Sequence, residues 1–581
     1  MIQLCLIHEK RQMYRYEELR FMETPTHYTT PRPEGHIEGF TYFCRTNRSS
    51  IFIILSMLLL TYGFMLFHFS FSIDTEACVV LQMNFYKGWI GINRYGLVFT
   101  KWLTGLLSLI PGFAAVLMVL TTFGYSLAWM YFFHWIKGRD LSRTELNWVF
   151  PVLFFSSVPM VELSNFQCQS FEVAFAMLLC AAALLLEWQW ILSGGILRLL
   201  LSVMLGVWCF ASYQAFVPVY ISASLASFLL AYHYRSDEIG SRVFLVSVKL
   251  ASVFLCDYLI CTLLGKILMF LARVEAGTYT DNMIRWGKAP LDEIITSLKL
   301  YINDTVLAKN IFWNRWYLFA AVGLLLSAFW KLRKKNAERK FYPYSIFVTF
   351  LLLASPFFLP ALLGAPLVVR GQLALPFVAA AGTEMIVERF LESAEMLSEH
   401  GKAIGLAAAA FLFLLIFRGN IVMDNRLLYS DYVVSQQENA LTERLVERIE
   451  TVSGGEAAPA GNSAESAADG GEAAAGNSAE SAADGGKETA VAILGKWSPT
   501  CNPSMIQGET LGHSFYEWDQ TVPGGTCKRV LSYWHVLGYE YQNPDAQQWE
   551  AAEKLGEGMP AWPRQGSVVR EGELVVIKLS E

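Results

Sequence analysis

The sequence predicts an α-helical polytopic membrane protein with about eleven transmembrane helices and a small C-terminal extracytoplasmic α/β domain. Three observations predict the membrane fold. Of 581 residues, 54% are hydrophobic and only 17% are charged, against roughly a quarter charged in soluble domains. The apolar residues are gathered into long runs between residues 50 and 417. Beyond residue 418 those runs cease and polar residues dominate. A net charge of −6, with basic residues in short clusters between apolar runs, excludes the basic face that a nucleic-acid binder needs.

Residues 1–49 are polar and mixed in charge, and read as a cytoplasmic N-terminal segment. No apolar stretch there precedes a small-residue cleavage site, so the first apolar run serves as both targeting signal and anchor. A span needs about 20 apolar residues. The runs that qualify begin with Ile51–Phe71, Phe113–Trp135, Trp148–Leu163 and Phe171–Leu186. Ile196–Ala211, Phe216–Tyr232, Val243–Leu271 and Trp316–Trp330 follow, and Tyr344–Leu359, Gln372–Phe390 and Ala403–Phe417 complete the 50–417 membrane domain. The long run from Ile196 to Tyr234 is divided at Ser212-Tyr213-Gln214. Leu97–Ile110 reads as an interfacial or re-entrant helix.

Basic residues flank alternate loops: Arg45 and Arg48, then Lys137, Arg139 and Arg143, then Arg235 and Arg242, then the cluster from Lys331 to Lys340. The bias of such residues to the cytoplasmic side places the N-terminus in the cytoplasm and residues 418–581 on the extracytoplasmic side. Two long outward loops result, Ser72–Leu109 and Ala272–Arg315, and long loops usually carry function or structure of their own.

Residues 418–453 read as an extracytoplasmic helical connector, with a helical pattern over Tyr432–Glu450. Residues 454–489 contain a direct repeat, 460–471 and 475–486, without large apolar residues; such a segment reads as a disordered linker. In residues 490–581, Ala490–Gly495 and Leu574–Leu579 predict strands and Gln547–Leu555 predicts a helix. Of ten cysteines, only Cys501 and Cys527 lie in this region, and an oxidising compartment would favour a disulfide between them.

The sharpest chemical signal is Ile73-Asp74-Thr75-Glu76, at the outer end of the first span. Carboxylates at i and i+2 on a loop can converge on one substrate hydroxyl or one divalent cation, magnesium or manganese. A low-dielectric boundary raises a carboxyl pKa and suits it to general base work. Equally, acidic residues there can simply meet water at a helix end. Asp74 is the preferred base because it lies nearer the span, where desolvation is expected to be stronger. Trp89-Ile90-Gly91-Ile92-Asn93-Arg94-Tyr95-Gly96 places an arginine among aromatics and glycines, suited to a phosphate and a sugar face or to an interfacial anchor. Lys87 and Arg370 lie on the same outer side. Tyr213 and Gln214 can line a cavity or satisfy backbone freed at a turn. Glu162, Asn165, Gln167, Gln169 and Glu172 gather at another outer turn. No nucleotide-binding motif is present, which favours a lipid-carried substrate.

Ile73-Asp-Thr-Glu76, the run from Trp89 to Trp102 and Ser212-Tyr-Gln-Ala215 resemble motifs of the bacterial Gtr-type glucosyltransferases, membrane enzymes of the GT-C class that modify O-antigen and other cell-surface glycans. Phe515-Tyr-Glu-Trp-Asp519, Met559-Pro-Ala-Trp-Pro563 and Leu574-Val-Val-Ile-Lys-Leu579 extend the resemblance to the C-terminal region. It implies transfer of a glucosyl or related hexosyl group from a polyprenyl-phosphate donor to a cell-surface glycan. In that reading Asp74 and Glu76 are catalytic, and Arg94, Lys87, Trp89, Tyr213, Gln214 and Arg370 bind the donor phosphate and sugar. The chain departs from the family pattern with Asn93 where glycine is expected and with Asp-x-Glu where adjacent aspartates are. The alternative activity is transport of lipid-linked sugars, which calls for inverted repeats and charges at mid-membrane; no internal repeat is evident among the spans.

Overall fold

A computed structural model describes residues 36–138, 146–277, 283–309, 315–331, 342–394, 399–454 and 489–581. Of the described residues, those up to Arg48 belong to one unit, containing the helix His36–Thr46, and those from Ser49 onward to the other. The repeat-bearing linker lies outside the described residues.

Seven helices among the described residues are long and apolar enough to cross a membrane: Arg48–Phe67, Pro111–Lys137, Ser170–Ser193, Phe216–Tyr234, Gly240–Leu271, Pro343–Leu363 and Ala403–Val452. Ile196–Ser212 and Trp316–Ala328 are apolar but shorter. Ala374–Ala394 has the length of a span, yet it carries Glu384, Glu388, Arg389 and Glu392. Three of these charges are used inside the protein. Lys137 Nζ reaches Glu384 at 2.9 Å and Glu388 at 2.6 Å, while the Tyr234 hydroxyl donates to Glu392 at 2.8 Å. Paired in this way, the charges avoid the desolvation cost that excludes lone ions from such interiors.

The run expected as a single span over Trp148–Leu163 is instead two seven-residue helices, Val149–Phe155 and Val158–Ser164. Ser157 between them is extended, and Pro159 sits in the first turn of the second helix. Proline lacks the N–H that would continue an earlier helix but fits a first turn. The division at Tyr213 is present, with that residue extended between Ile196–Ser212 and Phe216–Tyr234. Tyr95–Thr104, from the stretch expected to be re-entrant, is a helix of ten residues, too short to span.

The last span and the expected connector are one helix. Glu399–Val452 runs for 54 residues, a length of about 80 Å. Residues 403–417 of it are apolar throughout. Further along, Leu441, Leu445 and Ile449, four residues apart, face a shared core, the one-sided pattern of a helix with a solvated back.

The C-terminal module packs on that stripe. It holds a three-stranded sheet in the order β1-β3-β2, with β1 Ala490–Leu494, β2 Val568–Glu571 and β3 Leu574–Lys578. β1 pairs parallel to β3, and β2 antiparallel to it. Parallel pairing needs a long crossover, supplied here by the helices Gly525–Val536 and Ala546–Gly558. Both faces of β1 are covered. Val491 and Ile493 join a core with Phe515, Cys527, Val530 and Trp534, while Ala490 and Ala492 pack with Ala552 and Met559. The first core continues through Ile73, Cys78, Tyr86 and Trp89, so the module and the loop after the first span share one apolar interior.

The disulfide expected between Cys501 and Cys527 is not formed; both cysteines are free. Cys527 is buried in the core, where its thiol donates to the Val491 carbonyl at 3.3 Å and accepts from the Ile493 amide at 3.4 Å. Cys501 is exposed on the surface.

Candidate active site

The loop after the first span folds into three short helices, Thr75–Leu81, Met83–Gly91 and Tyr95–Thr104. Asp74 precedes the first of them with φ of +66°, a left-handed conformation that aspartate tolerates better than most residues. That turn directs Asp74 and Glu76 onto one partner. Arg529, on the helix Gly525–Val536, places Nη1 3.0 Å from Asp74 Oδ1 and 2.6 Å from Glu76 Oε1. The other edge of the guanidinium is held by Asp519 Oδ2, which accepts from Nε at 2.7 Å. The predicted carboxylate pair therefore converges, but on an arginine. Asp519 lay in a motif quoted above; Arg529 carried no signal, because nothing in the sequence ties position 529 to position 76.

The two carboxyls differ in a way opposite to the expectation. The Glu76 side chain is 1% exposed, against 38% for Asp74, because Glu76 lies within its helix and turns toward the protein. Its pKa is raised to about 7, with burial pushing it up most, Arg529 pulling it down and the neighbouring Asp74 charge pushing it up. Its Oε2 is buried without a hydrogen-bond partner. The argument that desolvation favours Asp74 as the base is thus corrected: the desolvated carboxyl is Glu76.

Arg94 is held by neutral groups. Its Nε donates to Gln214 Oε1 at 3.0 Å and its Nη1 to Gln169 Oε1 at 3.3 Å. The guanidinium carbon lies 4.8 Å from the centre of the Tyr213 ring. Gln214 in turn donates to the Ile92 carbonyl at 2.6 Å, which fixes its oxygen toward Arg94. No carboxylate is among the partners of Arg94 in the described residues, so its charge is uncompensated by an ion pair. Asn93 beside it has φ of +65°, so the glycine expected there and the asparagine found there serve the same left-handed backbone. Gly96 permits the close crossing that follows. A Cβ there would lie 2.8 Å from the Trp208 carbonyl oxygen, and Trp208 Nε1 donates to the Gly96 carbonyl at 3.2 Å.

Arg370 joins the same region with a different balance. Its Nη1 pairs with Glu509 of the C-terminal module at 3.0 Å, and its backbone amide donates to the same carboxylate at 3.0 Å. The Arg370 guanidinium stacks 4.7 Å from the centre of Phe166, and the Tyr213 hydroxyl reaches the Arg370 carbonyl at 3.5 Å.

One turn connects these groups. Phe166 lies under Arg370, Gln169 accepts from Arg94, and the Gln167 amide donates to Ser72 Oγ at 3.2 Å, two residues before Asp74. The turn noted for its polar residues thus ties the loop that carries the carboxylates to both arginines. The remaining predicted residues stand apart from this network. Trp89 is buried beside Phe85 and Tyr86, with Lys101 Nζ 5.9 Å from its ring. Lys101 pairs with Glu172 at 2.8 Å, both fully buried. Lys87 is exposed on Met83–Gly91.

A divalent cation at Asp74 and Glu76 would occupy the ground that Arg529 holds. Among the described residues, no three His, Cys, Asp or Glu side chains are grouped to hold a metal ion. As placed, the two carboxylates are engaged by a guanidinium and not arranged for a metal ion.

The family model for glucosyl transferase GtrII matches residues 63–386, more than half of the chain. The chain belongs to this family. Every site residue predicted within the membrane domain of this GtrII-family glucosyltransferase, from Asp74 to Arg370, falls inside the match. Arg529, Asp519 and Glu509 fall outside it. No curated protein and no solved structure matches the chain.

Proposed function

We propose that this glucosyltransferase moves a glucosyl or related hexosyl group from a polyprenyl-phosphate donor to a cell-surface glycan, at the outer face of the bacterial cytoplasmic membrane. The observation that carries the reading is the turn Phe166–Gln169, which joins a desolvated carboxyl to a guanidinium with no carboxylate partner. Glu76 takes the proton of the acceptor hydroxyl through Oε2, the buried oxygen without a partner. The hydroxyl oxygen attacks the anomeric carbon, the bond from that carbon to the phosphate oxygen breaks, and the polyprenyl phosphate departs. A single displacement of this kind inverts the anomeric configuration. Arg94 neutralises the charge that develops on the departing phosphate, an effect strongest when the donor is preorganised. Arg370 can join it by exchanging Glu509 for phosphate. Tyr213 and Gln214 keep Arg94 in place. No step requires a metal.

The orientation rests on the basic clusters described above and on the two ends of the bundle. Lys137, Tyr234 and Glu388 are joined at one end, near the predicted cytoplasmic loops. Asp74, Gln169, Tyr213 and Arg370 lie on segments predicted to face outward.

The test supplies the purified protein in vesicles with radiolabelled polyprenyl-phosphate glucose and a glycan acceptor. Labelled glycan is expected, with loss in R94Q and partial activity in R94K. Movement of the lipid-linked sugar across the bilayer without any labelled glycan would replace this reading with transport.

A further inference from the structure

We infer that Arg529, contributed by the C-terminal module, is a positioning residue of the transfer reaction: it holds the Asp74–Glu76 carboxylates so that Glu76 presents its second oxygen to the acceptor. The inference rests on the transfer reading above and extends it to a segment beyond the family match.

Three features of the geometry carry it. The guanidinium is fixed from the module side, since Asp519 takes Nε and Nη2, both at 2.7 Å. That leaves Nη1 to bridge Asp74 and Glu76 from a rigid, planar fork. Next, the bridge uses only one oxygen of Glu76, and Oε2 stays buried and unpartnered.

The third feature is that docking of the module does not need this contact. Glu162 accepts from the amides of Glu509 at 2.7 Å and Thr510 at 3.1 Å, Asp431 accepts from the Gly512 amide at 3.1 Å, and Arg426 donates to the Ser504 carbonyl at 2.9 Å. The shared apolar core adds to these. Arg529 therefore stands over the carboxylates as something more than a staple.

The charged and titratable groups around Glu76 set the consequence. Asp74 on its own loop repels its charge, and Arg529 from the packed module helix attracts it. Cys78, two residues further along the same helix, bonds the Tyr86 hydroxyl and lies within the influence of Lys101 and Glu172. Arg529 is the cation in direct contact with Glu76. Without it, Glu76 holds its proton to higher pH. A rise of one unit lowers the ionised share of a group titrating near neutrality about fivefold at pH 7.

The experiment reads Glu76 directly and then reads transfer. Full-length protein in vesicles is treated with a hydrophobic carbodiimide, which reacts with protonated carboxyls, and modification of Glu76 is followed by peptide mass spectrometry across pH. In R529Q the midpoint is expected to rise by about one unit or more, and in R529K to stay near wild type. The acid limb of kcat should rise in step, with KM for the donor unchanged. D519N keeps the arginine but frees its module-side edge; it should shift both readouts in the same direction by less, and it decides the matter if R529Q does not fold. A Glu76 midpoint unmoved in a folded variant overturns the inference. So does a moved midpoint with an unmoved kcat profile. Wild-type protein that titrates as expected but transfers no sugar overturns the transfer reading separately, leaving Arg529 as the residue that holds Glu76.

Discussion

At Glu76 two opposing effects are balanced at the scale of one side chain. Burial favours the neutral acid and Arg529 favours the anion, and the outcome is a pKa near 7, where a general base works well. The base must be ionised, so transfer should fall as pH drops through about 7. E76Q removes the proton acceptor while keeping shape, and should cost about 100- to 10,000-fold in kcat. D74N acts in the opposite sense on the pH profile from R529Q. Removing the Asp74 charge relieves the repulsion that raises the Glu76 pKa, so the acid limb should move to lower pH with activity retained. A pH–rate series on the two variants checks this; equal shifts in one direction would contradict the assigned electrostatics. The buried pair Lys101–Glu172 offers a separate test, of stability. K101M leaves a buried carboxylate uncompensated and should destabilise by about 3–5 kcal/mol, while K101M/E172M should recover much of the loss in a thermal-unfolding assay.

At the scale of elements, the loop 508–511 is wrapped around the Glu162 carboxylate. The backbone can come so close because Gly508 has no side chain: a Cβ there would lie 1.7 Å from Glu162 Oε1. G508A should therefore loosen the module, and limited proteolysis should cut it faster than wild type, with E162Q milder because its amide still offers one acceptor. Resistance equal to wild type in G508A would show that the loop does not dock the module. Such contacts also mark where sequence reading stops. The apolar runs made most of the membrane helices legible, since burial in lipid demands length and composition together. β1, β3 and the helix beginning at Ala546 were legible from local pattern. The break at Ser156-Ser157 was hidden because two buried short helices carry as much apolar content as one span. β2 was missed because Val568-Val569-Arg570-Glu571 is short and half polar. Asp74, Glu76, Arg94, Tyr213 and Gln214 were recognisable by type and spacing, whereas Arg529 and Glu509 acquire their roles only through contacts with residues distant in the chain, and Asp519 acquires its role through Arg529.

For the whole molecule, the decisive matter is which side of the membrane receives the module and the carboxylates it covers. The two are inseparable, because Arg529 binds Asp74 and Glu76 and one apolar core runs through both. The cysteines offer a direct measurement. Cys501 is free and exposed on the module, Cys527 is free and buried, and Cys44 in the N-terminal unit is partly exposed. A membrane-impermeant maleimide added to intact spheroplasts should label Cys501 and lose that signal in C501S. Cys527 should react only after denaturation, since its thiol lies in the core and burial pushes its pKa up to about 12, far from the thiolate that maleimide needs. Cys44 should react only once the membrane is permeabilised, because Arg45 and Arg48 keep that end inside. Labelling of Cys44 in intact spheroplasts with Cys501 protected would reverse the orientation. It would also turn the Asp74–Glu76 site toward the cytoplasm, where a nucleotide-activated sugar would be available and the case for a lipid-carried donor would lose its footing.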